Sequence, residues 1–439
     1  MDNLSRSPLP QKVDFFETPL LFLGRLSRPV GRGKTAASNL EASTETDLSL
    51  LDPLPGSFWR RPSSISTQDL YHGFGRTHLL LDPESVCTYA GPKESFGRNP
   101  GFEIENSGVK LKLKFAEVSS EPFAARIFDA VGFHVDPTDY APQVKVRYSR
   151  RIFQEFNQRK PLQTRFTLFG FIPLFTLELQ QHYDPFNYIT ATVLRNGSRW
   201  SGPELKRNLL RNPEEPRAEL EPSNYRAEVE EQIDYVETAS ASVQLKIGKS
   251  IGPWDFGQLG HASIRELRGA GLLAAWLGWF DTRFDNTRLR VVQREGRHEL
   301  EHYFSDLGGV LGKTSGILYA RGELPNAFPW AFTKRPLLQG PHHLAEPLRF
   351  SGYKPVTRTD AFAAMTLDDA RWMARLIAQL NEQQLEQALV ASGFDSAQVK
   401  LYLAKLLSRR EQMMADLGLA SKPSADKMNR LLSYDPRRE

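Results

Sequence analysis

A chain of 439 residues with 40% hydrophobic and 25% charged residues has an ordinary globular composition, enough for two or three domains or one large two-lobed domain with an irregular arm. The net charge of +4 is spread along the sequence rather than gathered in a run, so nucleic-acid binding is not indicated. The single cysteine, Cys87, excludes an intrachain disulfide framework and a cysteine-based zinc cluster, and it reads as a buried small apolar side chain. The longest apolar run, 166–179, is interrupted by Gly170 and Pro173 and is too short to span a membrane. The stretch 15–23 has no basic region before it, so a soluble, cytoplasmic protein is the expectation.

Residues 1–60 are rich in Ser, Pro, Gly and Arg and read as a largely disordered arm with one apolar island around Phe15, Phe16, Leu20, Leu21 and Phe22. Gly33-Lys34-Thr35 is not a P-loop, because Arg28 stands where the first glycine must be. Short strands are expected at 79–81 and 86–89, followed by a Gly- and Pro-rich loop, 91–101, that carries Lys93 and Arg98. A strand from Phe102, a turn at Asn106-Ser107-Gly108 and a second strand come next. In that second strand Val109, Leu111, Leu113 and Phe115 alternate with Lys110, Lys112 and Lys114. A solvated lysine face accounts for the pattern; so does a strand that presents a phosphate-binding lysine. Ser119-Ser120-Glu121-Pro122 marks a helix start with Ser120 as cap, and Phe123, Ile127, Phe128 and Val131 recur at helical spacing until Gly132. Glu121, with Glu117 as the second candidate, could fix a lysine; both also suit a helix dipole.

From 145 to 250 the composition is β-like at Val144–Tyr148, 166–179, Tyr188–Leu194 and Val236–Ile247, with a polar, proline-rich surface stretch between Gly197 and Arg226. This reads as an inserted or interlobe segment, where acceptor specificity would reside. The cluster Gly252–Gly257 is a hinge or a loop over a buried Trp254. A helix over 262–279, with Gly271 for close packing, leads into Asp281; Asn286 follows five residues later. Two strands, 289–292 and 300–304, are joined by a turn at 294–297, and Asp306-Leu307-Gly308 closes the pair. Asp281 could accept or orient the proton of an attacking hydroxyl, and Asn286 and Asp306 offer the hard oxygen ligands that Mg²⁺ prefers. A capped loop and a plain turn would use the same residues without chemistry. Gly309–Thr314 is not a P-loop, since Leu307 occupies the place of its first glycine. His342 and His343 are adjacent and diverge in an extended chain, which does not suit a shared metal. The last hundred residues are helical, with capping boxes at Thr366/Asp369, Asn381/Gln384 and Asp395/Gln398, glycine stops at Gly393 and Gly418, and fraying beyond about 420.

The spacing Asp281-x-x-x-x-Asn286, the strand pair and Asp306-Leu307-Gly308 match the catalytic loop and the metal-binding Asp-Phe-Gly element of protein kinases. With the lysine strand upstream, the chain resembles a bacterial branch of the atypical protein-kinase-like fold, the group that includes HipA-type, CotH, secretory-pathway and type II phosphatidylinositol kinases. The resemblance rests on Gly108–Lys114, Glu121–Phe133, Arg265-Glu266-Leu267-Arg268, Asp281–Asn286 and Asp306–Gly308, and covers roughly 65–145 and 250–420. It implies an α+β, two-lobed fold: an arm over 1–60, a small antiparallel β-rich N-lobe over 61–150, a β-rich inserted segment over 151–250, a mostly helical C-lobe over 251–420 and a tail over 421–439. It implies ATP and Mg²⁺ as cofactors, Lys114 or Lys112 on phosphate, Glu121 as its partner, Asp281 as catalytic aspartate, and Asn286 and Asp306 as metal ligands. Lys110, Lys112 and Lys114 share one face, so the choice among them stays open. The loop 91–101 lacks G-x-G-x-x-G, Trp279-Phe280 replaces His-Arg and Leu307 replaces Phe. These departures bear on activity more than on fold. The implied function is phosphotransfer to a protein or small-molecule hydroxyl; the alternatives are a pseudokinase scaffold and an AMP transferase using the same cleft.

Overall fold

The computed structural model describes residues 52–93, 99–156, 162–168, 172–179, 184–210, 227–256, 258–294, 296–312, 323–330, 332, 353 and 360–419. The expectations for the arm before 52, Arg98, the stretch 211–226, Lys313-Thr314, His342-His343 and the tail lie outside these residues. The chain is α+β, with a large mixed sheet and helices. No helix among the described residues is long and apolar enough to cross a membrane. Two compact units interleave along the sequence: His78–Val118 with Thr138–Lys246, and Met1–Thr77 with Ser119–Pro137 and Ile247–Glu439.

The unit containing 78–118 is built on a nine-stranded sheet. Its first three strands are β1 (Val86–Pro92), β2 (Gly101–Asn106) and β3 (Val109–Lys114). Asn106 pairs with Val109, so Ser107 and Gly108 form a two-residue hairpin loop, and both have positive φ, 51° and 79°. That is the primed turn whose twist suits paired strands. The other strands are β4 (Thr138–Ala141), β5 (Lys145–Arg147), β8 (Ile189–Leu194), β9 (Arg199–Ser201), β10 (Ile233–Thr238) and β11 (Ala241–Leu245). The sheet order is β4-β11-β3-β2-β1-β5-β10-β8-β9, and only β1 and β5 run parallel. Strands expected to form a separate inserted segment therefore complete the same sheet as the lysine strand. A hairpin of β6 (Leu162–Leu168) and β7 (Ile172–Leu179) stands apart from that sheet.

Alternation along the strands buries Cys87, Phe102, Ile104, Leu111, Leu113, Val146, Val236 and Val243 in one core. Two short helices, α2 (Arg150–Glu155) and α3 (Gly202–Leu209), add Ile152, Phe153, Leu205 and Leu209. α4 (Ala227–Glu231) contributes no buried residue. The segment expected as surface loop from Gly197 thus contains β9 and α3; α3 begins with a complete Ser201/Glu204 capping box. Leu79–Leu81 is not a strand. Cys87 is fully buried, and burial pushes its thiol up to about 11, so it fills space rather than acting as a nucleophile.

The other unit is mainly helical: α1 (Ser120–Ala130), α5 (Arg265–Leu277), α6 (Asp360–Ala363), α7 (Leu367–Ala378), α8 (Glu382–Ala391) and α9 (Ser396–Asp416). All three predicted capping boxes are present, at the starts of α7, α8 and α9. A three-stranded sheet, β12 (Lys249–Gly252), β13 (Thr287–Arg294) and β14 (Arg297–Phe304), packs with them. α5 is buried on nearly every side, which its continuous apolar run requires. A Cβ on Gly269 would lie 2.5 Å from the Trp372 ring, and one on Gly271 would lie 2.9 Å from Phe362, so both glycines serve close packing. Asp369, fully buried, accepts from Arg265 Nε at 2.8 Å and Arg268 Nε at 2.6 Å while closing the Thr366 capping box. These are the two arginines of the R-E-x-R segment, and they tie α5 to α7.

Three histidines are buried: His261 and His302 meet Trp254 edge-on, and His134 Nδ1 lies 3.4 Å from a Glu301 carboxylate oxygen. Phe58 stacks on His302 at 3.7 Å and meets His261 and Trp254 edge-on. His302 N donates to Ser57 O at 2.8 Å, and its Nδ1 lies 3.0 Å from Ser57 Oγ. Beside them, Arg290 donates to Asp136 and Glu301 at 2.8 and 2.7 Å.

Candidate functional site

Helix α5 stops at Gly278, which takes the left-handed conformation that a C-terminal cap needs, with φ 69°. Arg409, fully enclosed by α9 and its neighbours, donates to Ala275 O at 2.6 Å and Trp276 O at 2.9 Å, satisfying carbonyls at the end of α5. The loop that follows is thereby anchored at its root. Three backbone hydrogen bonds then zip it to the loop after β14. Phe280 N donates to Gly309 O at 3.0 Å, Leu311 N to Leu277 O at 3.1 Å and Ser305 N to Asn286 O at 2.9 Å. Asp281 is one residue past Phe280, and Asp306 is one residue past Ser305. The zipper therefore joins the loop that carries Asp281 and Asn286 to the loop that carries Asp306. A Cβ on Gly309 would lie 3.0 Å from Asp281 Cβ, so glycine lets the two loops touch.

Asn286 is buried on a single turn of 3₁₀ helix, Phe284–Asn286. Its Nδ2 donates to Asp281 O at 2.8 Å. Since a carbonyl can only accept, the amide orientation is fixed, and Oδ1 is the atom left for a cation. Among the described residues Oδ1 makes no hydrogen bond within the protein. An amide oxygen and a carboxylate are donor types that Mg²⁺ accepts where substrate phosphate and water complete the octahedron. Asp281 is half-buried and clasped by Arg283, whose Nε and NH2 lie 2.8 and 3.2 Å from its two carboxylate oxygens.

Helix α1 begins on the second of these loops. Ser120 Oγ donates to Gly308 O at 2.6 Å, and the next residue, Glu121, is 1% exposed. Ser120 is not the cap that its sequence position suggests. The N-cap is Ser119, and its side chain caps nothing. The backbone N–H groups of Ser119 and Ser120 instead donate to one oxygen of Glu323, both at 2.6 Å. Underneath, Phe128 of α1 packs edge-on against Trp279 at 5.8 Å and Phe304 at 5.2 Å. Those two residues precede Asp281 and Asp306, so one aromatic cluster supports both acidic loops and the helix. Tyr353 donates to Trp279 O at 2.6 Å.

The lysine strand lies in the sheet unit, whereas Glu121, Asp281, Asn286 and Asp306 lie in the helical one. Within the sheet the three lysines are not equivalent. Lys110 is exposed opposite Glu105, and Lys112 is half-buried between Glu103 and Gln244. Lys114 is 1% exposed, with Gly101 and Ser242 as its cross-strand neighbours. The first two fit an ordinary charged face. Glu117, the second candidate partner, accepts from Asn99 Nδ2 at 3.0 Å.

Two residues escape sequence reasoning. Arg283 had a faint signal, a cation two residues after the aspartate in a loop. Glu323 had none, since nothing local links it to a helix some two hundred residues upstream. Among the described residues no three His, Cys, Asp or Glu side chains form a metal cluster by themselves. Compared with protein-family models, with curated proteins and with solved structures, the chain finds no match in any of the three.

Proposed function

We propose that the protein is an ATP- and Mg²⁺-dependent phosphotransferase of atypical kinase type, acting on the hydroxyl of a protein or a small molecule. In this reading the sheet unit is the β-rich lobe and the helical unit the catalytic lobe. The observation that supports it is the backbone zipper between the loop of Asp281 and Asn286 and the loop of Asp306, with the Asn286 amide oriented by Asp281 O. Asn286 Oδ1 and the Asp306 carboxylate would hold Mg²⁺. When bound, Mg-ATP supplies the transferable phosphoryl group and the neutralisation of charge on its oxygens. Asp281 would orient the acceptor hydroxyl and receive its proton, positioning being most of what phosphoryl transfer asks of the protein. Lys114 is the proposed phosphate contact and Glu121 the group that fixes it.

The Arg283 clasp favours a second reading, a nucleotide-binding pseudokinase scaffold, because an acceptor hydroxyl must compete with the guanidinium for Asp281. Thermal shift with ATP, with and without Mg²⁺, tests the common premise. The proposal expects Mg²⁺-dependent stabilisation that Asp306→Ala and Asn286→Ala each reduce by at least about tenfold in apparent affinity. Unchanged Mg-ATP binding in Asp306→Ala would sink the metal assignment. Transfer of label from the γ-phosphate identifies a kinase, from the α-phosphate an AMP transferase, and binding without transfer a scaffold.

A further inference from the structure

The N-terminus of α1 leaves backbone N–H groups that a helix cannot satisfy itself, and its own cap residue supplies no side chain. A single carboxylate oxygen from Glu323 takes two of them at 2.6 Å. The backbone of Glu323 sits in the left-handed region, φ 63°, which disfavours a side chain of this size. It is pinned there: Glu323 N donates to Val310 O at 3.1 Å, and Gly312, φ 105°, lies so close that a Cβ would meet Leu324 O at 2.1 Å. Residues 310–312, immediately past Asp306-Leu307-Gly308, therefore run against 323–324. A second tie, Ser120 Oγ to Gly308 O, joins the same two elements. The helix start is thus tied to the segment after Asp306 by the Glu323 carboxylate and by the Ser120 hydroxyl.

We propose that Glu323 is a positioning residue that couples this segment to α1, and through α1 to the placement of Glu121. The importance for phosphotransfer rests on the function proposed above; the coupling itself does not. A carboxylate at a helix N-terminus is favoured by both the unpaired N–H groups and the helix dipole, so the contact is charge-assisted rather than a neutral cap. When residues 310–312 and 323–324 shift, the grip opens and the first turn of α1 loosens.

The test is amide hydrogen exchange on the full chain, read at 119–121, with no nucleotide required. Glu323→Ala should exchange at least about tenfold faster there, and Glu323→Gln, which keeps the shape but not the charge, should fall between it and the parent. Gly312→Ala, which forces Leu324 away, should accelerate the same amides. The double variant Gly312→Ala/Glu323→Ala should be no faster than Glu323→Ala alone, because both changes open one contact. Added acetate should slow exchange at 119–121 in Glu323→Ala and leave the parent unchanged, as a free carboxylate reoccupies the helix N-terminus. A side chain that merely filled space would show neither the non-additivity nor the rescue. Parent-like exchange in Glu323→Gln, additive effects in the double variant or no response to acetate would each overturn the coupling. Should Glu323→Ala lose protection throughout the unit, the Glu323→Gln and Gly312→Ala variants and their double carry the same decision. Failure of Mg-ATP to bind the parent chain would refute the phosphotransferase reading and leave these outcomes decisive for Glu323.

Discussion

Acidification should remove the part of the helical unit's stability that rests on its buried neutral histidines. Burial pushes His134 down to about 4 and His302 down to about 3, and it lowers His261 as well. For His302 the nearby His261 and His134 add to the effect; for His134 the Glu301 carboxylate opposes burial while Arg290, Arg60 and Arg294 reinforce it. The sign follows from proton counting. Between their folded values and about 6.5 the unfolded chain binds protons on these rings and the folded chain does not. Their contribution to stability is therefore whole above about pH 6.5 and is lost as the pH falls toward the folded values. From about pH 7.5 to about pH 5.5, linkage gives a loss of about 1.3 kcal/mol per ring, or roughly 2.5 kcal/mol for His134 and His302 together. Buried carboxyls such as Asp129, raised by burial, respond in the opposite direction, so the clean measurement is a difference. Urea unfolding followed by tryptophan fluorescence would compare the parent with His302→Phe, which keeps the ring stack on Phe58. The variant should lose less stability across that window, by about 1.3 kcal/mol. Equal pH slopes in the two proteins would refute the assignment of a neutral buried ring at 302.

Two further substitutions probe different layers. Asp369→Ala should cost about 3–5 kcal/mol in chemical denaturation, because it leaves Arg268 buried without its partner and removes the side chain closing the α7 cap; a loss below about 1 kcal/mol would show that the α5–α7 tie is dispensable. Lysine-to-methionine changes at 110, 112 and 114 should rank in the order of burial. Mg-ATP affinity should fall by about tenfold or more in Lys114→Met and stay near the parent value in Lys110→Met, measured by titration calorimetry. The reverse order would move the phosphate contact to another lysine.

Much of the scaffold was legible because its signals are local. Period-two alternation located β3, and its primed turn followed from Ser107-Gly108. Three capping boxes and two glycine stops delimited the C-terminal helices. The loop positions of Asp281 and Asp306 were legible because the apolar helix α5 and the strand β14 end just before them; the roles given to them and to Asn286 belong to the function proposed above. What escaped depends on partners distant in sequence. The grouping of β8 to β11 with β1 to β3 follows from register across more than a hundred residues, which no local period encodes. The start of α1 misled for the same reason: Ser120 has the chemistry of a cap, but Gly308 O competes for its hydroxyl and a remote glutamate takes its place. The strand expected at 79–81 failed because Leu80 N finds the Asp139 carboxylate at 2.7 Å instead of a neighbouring strand.

The chain passes from one unit to the other at 77/78, 118/119, 137/138 and 246/247. Neither unit can be obtained as a contiguous fragment, so truncations designed on linear blocks will cut through a core. On the ribosome the sheet unit can be complete once Lys246 has emerged, whereas α1, already synthesised, must wait for α5 and the helices beyond it. During that interval Phe128 lacks the cover of Trp279 and Phe304. The dependence of yield on temperature and on chaperone supply should therefore trace back to that one helix.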